Sequence, residues 1–214
     1  MNGIANLLSI NMISSANKRS HRIRNLILNT YKSIYIIMIF HDGHVDKVDI
    51  LKKNSNPVDI SEMIAIENIA ISDIDLKNEA IKLSKDALQI ITTTLWCEKI
   101  IQGWLAYSNS YIIGIFLFHV KHKQNDSLDY VWLINGDIPT HIINARYCTN
   151  WITAFDCYIN DMQEWVDHVY KGLSIDNLKV HVNVPPEAIW AERLESRLSL
   201  LRLELEEIKY KSKY

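Results

Sequence analysis

Residues 130–139, YVWLINGDIP, decide how the rest of the chain is read. Val131, Trp132, Leu133 and Ile134 form a short apolar run of β-branched and aromatic residues. Such a run, stopped by Asn135-Gly136-Asp137, is a buried strand entering a turn. Gly136 is free to take the left-handed backbone that a reversal needs. Pro139 pushes Ile138 towards extended geometry, so a second extended piece follows, not a helix. An acid held in that turn beside a buried strand needs a partner, which makes Asp137 the first residue of interest.

Downstream, Thr149 is the expected N-cap of a helix running to about Lys171 and stopped by Gly172. Ile152, Phe155, Ile159, Met162, Val166 and Val169 recur at 3,4 spacing and form its buried stripe. Trp151, Tyr158 and Trp165 recur every seven residues beside that stripe, where aromatics pack the edge of a core or line a ligand groove. Val180, Val182 and Val184 alternate with polar residues in a short extended piece. Pro185-Pro186 then opens the last helix, whose stripe is Ala191, Leu194, Leu198, Leu201, Leu205 and Ile208. Arg197 stands on the shoulder of that stripe, and its planar fork suits a turn carboxylate. Asp137 and Arg197, with Asn183 just ahead of the prolines, are therefore expected as a polar lock or a ligand cluster. Trp132 and Trp165 complete the candidate ligand-binding set.

Upstream, Trp104–Tyr107 and residues 111–120 read as a hairpin feeding the strand at 129–134. The return strand is apolar on both faces, so it is central and covered on both sides. Gly114 within it marks a close approach or a bulge. Leu76, Ala80, Leu83, Ala87 and Ile90 give a helix capped by Asp75 and ending near Trp96–Ile101, weakened by Thr92-Thr93-Thr94. Ser33–Phe40 and Val45–Leu51 flank the turn pair Asp42-Gly43, which predicts a hairpin at 33–51. That register sets His41 opposite His44, with Cβ atoms roughly 4.5–5.5 Å apart, and Asp46 on the same face. Two imidazoles and a carboxylate are ligands that zinc or iron accepts, so these three are the metal candidates.

The 214 residues suffice for a sizeable core, and 48% apolar with 22% charged is the balance of a globular protein. No apolar run reaches the roughly 18–20 residues of a membrane span. Cys97, Cys148 and Cys157 fit no metal spacing and suit a reducing compartment. Net charge is −2, yet no acid precedes Asp42 while Lys18, Arg19, Arg22, Arg24 and Lys32 do. A basic arm of that kind meets phosphates or is simply solvated. Phosphate-cradling glycine loops, nucleophile elbows and H-E-x-x-H are all missing.

W-x-x-x-G-D-I-P at Trp132–Pro139, the helix with Met162 and Trp165, V-N-V-P-P at Val182–Pro186 and R-L-x-x-L at Arg197–Leu201 together resemble an uncharacterised bacterial domain family. The resemblance spans about Ile101 to Ile208 and implies fold more than activity. Family members usually carry proline after the capping threonine; Asn150 stands there instead.

The resulting expectation is an α+β protein, an antiparallel sheet of three to five strands covered by two or three long amphipathic helices. Residues 1–75 are expected as an N-terminal extension or small subdomain and 76–214 as the α+β domain. The expected function is a cytoplasmic, non-enzymatic binding module with a protein partner or a second copy, without cofactor or membrane. Two alternatives stand beside it. One is a small hydrolase or metal-dependent enzyme centred on Asp137 and Arg197 or on His41 and His44; the other is nucleic-acid contact through the basic arm.

Overall fold

The structure, a computed structural model, describes residues 58–70, 72 and 77–212. The expected hairpin at 33–51 with His41, His44 and Asp46, the basic arm and the Asp75 cap lie outside the described residues.

The fold is α+β. Among the described residues five strands pair in chain order as one antiparallel sheet: β1 (Ile64–Ala65), β2 (Cys97–Asn109), β3 (Ile113–His122), β4 (Leu128–Gly136) and β5 (His141–Asn144). The helices are α1 (Lys77–Thr93), α2 (Trp151–Lys171) and α3 (Ala188–Lys211). The edge strand β1 comes from the segment read as an N-terminal extension and pairs Ile64 with Leu105. The piece after Pro139 is extended, as Ile138-Pro139 requires, and it becomes β5, pairing His141 with Ile134.

β3 lies at the centre and divides the apolar side chains by strand alternation. Ile113, Ile115 and Leu117 point to one face, where Trp132 and Ile134 of β4 meet Phe155, Tyr158, Met162 and Trp165 of α2 and Leu198 and Leu201 of α3. Phe116, Phe118 and Val120 point to the other, where Val131 and Leu133 meet Ala80, Leu83, Ala87 and Ile91 of α1. A strand buried on both sides needs apolar residues at every position, which is why 113–118 contains no charge. At Gly114 a Cβ atom would stand 2.6 Å from the Phe116 ring, so the missing side chain leaves room for that ring. Asn135 crosses from β4 to donate to the Leu83 carbonyl of α1 at 3.2 Å.

Several boundaries move from their expected places for local reasons. α1 stops at Thr93, short of Trp96–Ile101. The hydroxyls of Thr92, Thr93 and Thr94 bond carbonyls three or four residues back, and Cys97 already belongs to β2. The N-cap of α2 is Asn150, not Thr149. Its side chain accepts from the Thr153 amide at 2.9 Å, and Thr153 Oγ1 accepts from the Asn150 amide at 3.3 Å. Gly172 ends α2 at φ 63°, the left-handed C-terminal conformation glycine favours. α3 begins at Ala188 with Glu187 as cap, so Pro185-Pro186 leads into the helix from outside its first turn. Val180–Val184 forms no strand, although Val180 and Val182 are buried against the core.

Candidate functional site

The turn after β4 is built on Gly136. Its φ is 145°, and a Cβ there would lie 2.2 Å from the Ile112 carbonyl oxygen, so only glycine fits. That closeness lets the Asp137 amide donate to the Tyr111 and Ile112 carbonyls, both at 3.0 Å, and ties the turn to the β2–β3 connection. Arg197 reaches the same turn from α3. Its Nε donates to the Asp137 carbonyl oxygen and its Nη2 to Asp137 Oδ2, each at 2.8 Å. The fork thus divides between main chain and carboxylate instead of gripping both carboxylate oxygens. α2 holds the turn from the other side, where the buried Tyr158 hydroxyl donates to the Pro139 carbonyl at 2.8 Å. Burial pushes the Tyr158 phenol well up, against a smaller downward pull from the Arg197 charge.

Of the sequence-predicted ligand set, Asp137 and Arg197 are brought together. Asn183 is exposed on the connection between α2 and α3. Trp132 and Trp165 are both fully buried. The Trp132 indole N–H is engaged by the Cys148 carbonyl at 2.7 Å. Both rings therefore sit inside the packed layer between sheet and helices, where they supply core volume. Among the described residues, no group of three or more His, Cys, Asp or Glu side chains is arranged to hold a metal.

Three clusters escaped the sequence reading. On β2, Tyr107 and Asn109 both donate to Glu204 Oε1 of α3, and the Tyr107 ring stacks on Trp151 at 5.1 Å between centroids. Burial, followed by the hydrogen bond to Glu204, pushes the Tyr107 phenol up. In the second cluster, the buried His141 of β5 sets its Nε2 3.1 Å from Asp161 Oδ2 of α2, and its Nδ1 has no hydrogen-bond partner among the described residues. The third is a thiol pair: Cys148 Sγ lies 2.7 Å from Sγ of Cys157, which stands one helical turn before Asp161. Burial, then the Cys157 hydrogen bond, then the Asp161 and Asp156 carboxylates, push the Cys148 thiol up to about 12. None of these pairings has a motif. His141 and Asp161 stand 20 residues apart, and only the crossing of β5 beneath α2 joins them.

No family model, curated protein or solved structure matches the chain. No described helix is long and apolar enough to cross a membrane.

Proposed function

We propose that the protein is a cytoplasmic, non-enzymatic interaction module that pairs with a second copy of itself through the outer face of α3. The observation carrying this is that α3 is apolar on two sides. Ala191, Leu194, Leu198, Leu201 and Leu205 are buried against the sheet and α2. Ile189, Leu200, Leu203 and Tyr210 point away and are 48%, 66%, 70% and 66% exposed. With Arg193, Ser196 and Glu207 they fall at alternating spacings of four and three, the seam of a coiled coil. A helix meant only for solvent has no use for leucine at such positions.

The two charges in the seam choose the orientation. In an antiparallel pair with its dyad at Leu200, Arg193 meets Glu207 of the other copy. A parallel pair would set Arg193 on Arg193 and Glu207 on Glu207. Hydrogen bonding from Lys211 and its charge lower the pKa of the Glu207 carboxyl. An enzymatic reading centred on Asp137 and Arg197 has less support, because Arg197 Nε and Nη2 are both committed to the turn.

Light scattering of the full chain tests the reading. Twice the chain mass is expected for the natural sequence. L200E/L203E is expected at a single chain mass with unchanged helical circular dichroism. R193E should weaken the dimer and R193E/E207R should restore it. A natural chain that stays monomeric at high concentration, or a dimer indifferent to all these changes, overturns the reading.

A further inference from the structure

The thiol pair belongs to neither the turn lock nor the α3 seam, and its geometry is particular. Cys148 lies in the connection between β5 and α2 and is 1% exposed, while Cys157, on the second turn of α2, is only partly buried. Their sulfurs, at 2.7 Å, are closer than van der Waals contact, and a covalent disulfide needs about 2.05 Å. Both ends of the pair are held independently of each other. Cys148 is fixed through its main chain, its amide donating to the Ala145 carbonyl at 3.2 Å and its carbonyl accepting from Trp132 Nε1 at 2.7 Å. Cys157 is fixed by the helix that Asn150 caps. The third cysteine, Cys97, belongs to the cluster on the opposite face of the sheet, so it does not compete.

We propose that Cys148 and Cys157 form a dithiol–disulfide pair that exchanges stoichiometrically with low-molecular-weight disulfides of the glutathione type. Access divides the roles. Cys157, the less buried of the two, yields its proton to water and attacks as thiolate one sulfur of the small disulfide. A bond forms from Cys157 to that sulfur, the small disulfide breaks, and its other half leaves as thiolate and takes up a proton. Cys148 then yields its proton to water and attacks the Cys157 sulfur. The mixed disulfide breaks, the Cys148–Cys157 bond forms, and the second small thiol leaves and is protonated. Two protein thiols lose two electrons, and one small disulfide gains them to become two thiols. Excess small thiol runs the same steps backwards. Cys148 resolves and does not enter, because its burial closes it to a bulky disulfide.

The test equilibrates the folded full chain in glutathione buffers of graded oxidised-to-reduced ratio, quenches with acid and maps cysteines by mass. The expected product is a Cys148–Cys157 linkage, two hydrogens lighter, with Cys97 still a free thiol and full reversal by reduced glutathione. At a fixed ratio, the linked fraction is expected to fall about tenfold or more in concentrated urea, since the fold supplies the effective concentration of one thiol at the other. C148S is expected to trap a glutathione adduct on Cys157, and C157S to gain none on Cys148. The map of the natural sequence decides the matter even if a variant does not fold. Free thiols at every ratio, a lasting glutathione adduct on Cys157 without the linkage, or equal linkage in urea overturns the proposal.

Discussion

At the scale of single residues, the turn at 135–139 shows how an expected pair arrives in an unexpected form. A fork gripping only the carboxylate would make Asp137 and Arg197 equal partners. Because Arg197 Nε bonds the main-chain oxygen, removing the acid leaves one of the two bonds in place. Both side chains are partly exposed, at 27% for Arg197 and 49% for Asp137, so solvent screening reduces the ionic part. Arg197→Ala is therefore expected to cost about 1–2 kcal/mol in urea unfolding, and Asp137→Asn about 0.5 kcal/mol. An asparagine variant as damaged as the alanine variant would refute this division. Gly136→Ala is a sharper case. The added carbon meets the Ile112 carbonyl oxygen at 2.2 Å on a backbone that side chains rarely adopt, so about 3 kcal/mol or more is expected. An alanine tolerated within about 1 kcal/mol would show that the two turns separate easily.

Among the elements, α2 depends on a cap that the sequence placed one residue away. Asn150 and Thr153 satisfy each other's amides at the helix start. Asn150→Ala is expected to cost about 1 kcal/mol by denaturant unfolding, Asn150→Asp to retain most of the cap, and Thr149→Ala to stay within about 0.5 kcal/mol. Equal losses at 149 and 150 would return the cap to Thr149. The cap has a second consequence, since it fixes the helical frame that brings Cys157 to Cys148 and Asp161 to His141. A further irregularity acts the same way on β2. The register slips between Leu105 and Tyr107, and both Ala106 and Tyr107 then pack against the face of α2 and α3. Without that bulge, strand alternation would send Tyr107 to the side of α1, away from Glu204.

For the molecule as a whole, the controlling fact is that β3 serves two cores. Loss of α1 would bare Phe116 and Phe118, and each of these rings contributes roughly 2–3 kcal/mol through burial. The same strand carries Ile113, Ile115 and Leu117 for the opposite core, so neither face can come apart alone. Leu83→Ala, a change confined to the α1 side, is expected to cost about 2–4 kcal/mol. Tryptophan fluorescence and far-ultraviolet circular dichroism should nevertheless trace a single coincident urea transition for residues 58–212. Trp132 and Trp165 report from the other face, so separated transitions would mean that the two cores melt independently.

The sequence by itself determined what short-range periodicity encodes. The 3,4 stripes fixed which faces of the three helices are buried, and apolar residues at every position marked β3 as central. Asn-Gly-Asp before Ile-Pro marked the reversal and the extended piece beyond it, and Arg197 beside the last apolar stripe pointed to Asp137. The tertiary structure alone decided the rest: Asn150 over Thr149 as cap, the bulge that turns Tyr107 to Glu204, and the meetings of His141 with Asp161 and Cys148 with Cys157. Helix and strand patterns are set by neighbours a few residues apart, so they are written in the local order of side chains. A hydrogen bond or sulfur contact between elements depends on tenths of an ångström in how those elements cross, and that distance exists only once the sheet and both helices have packed.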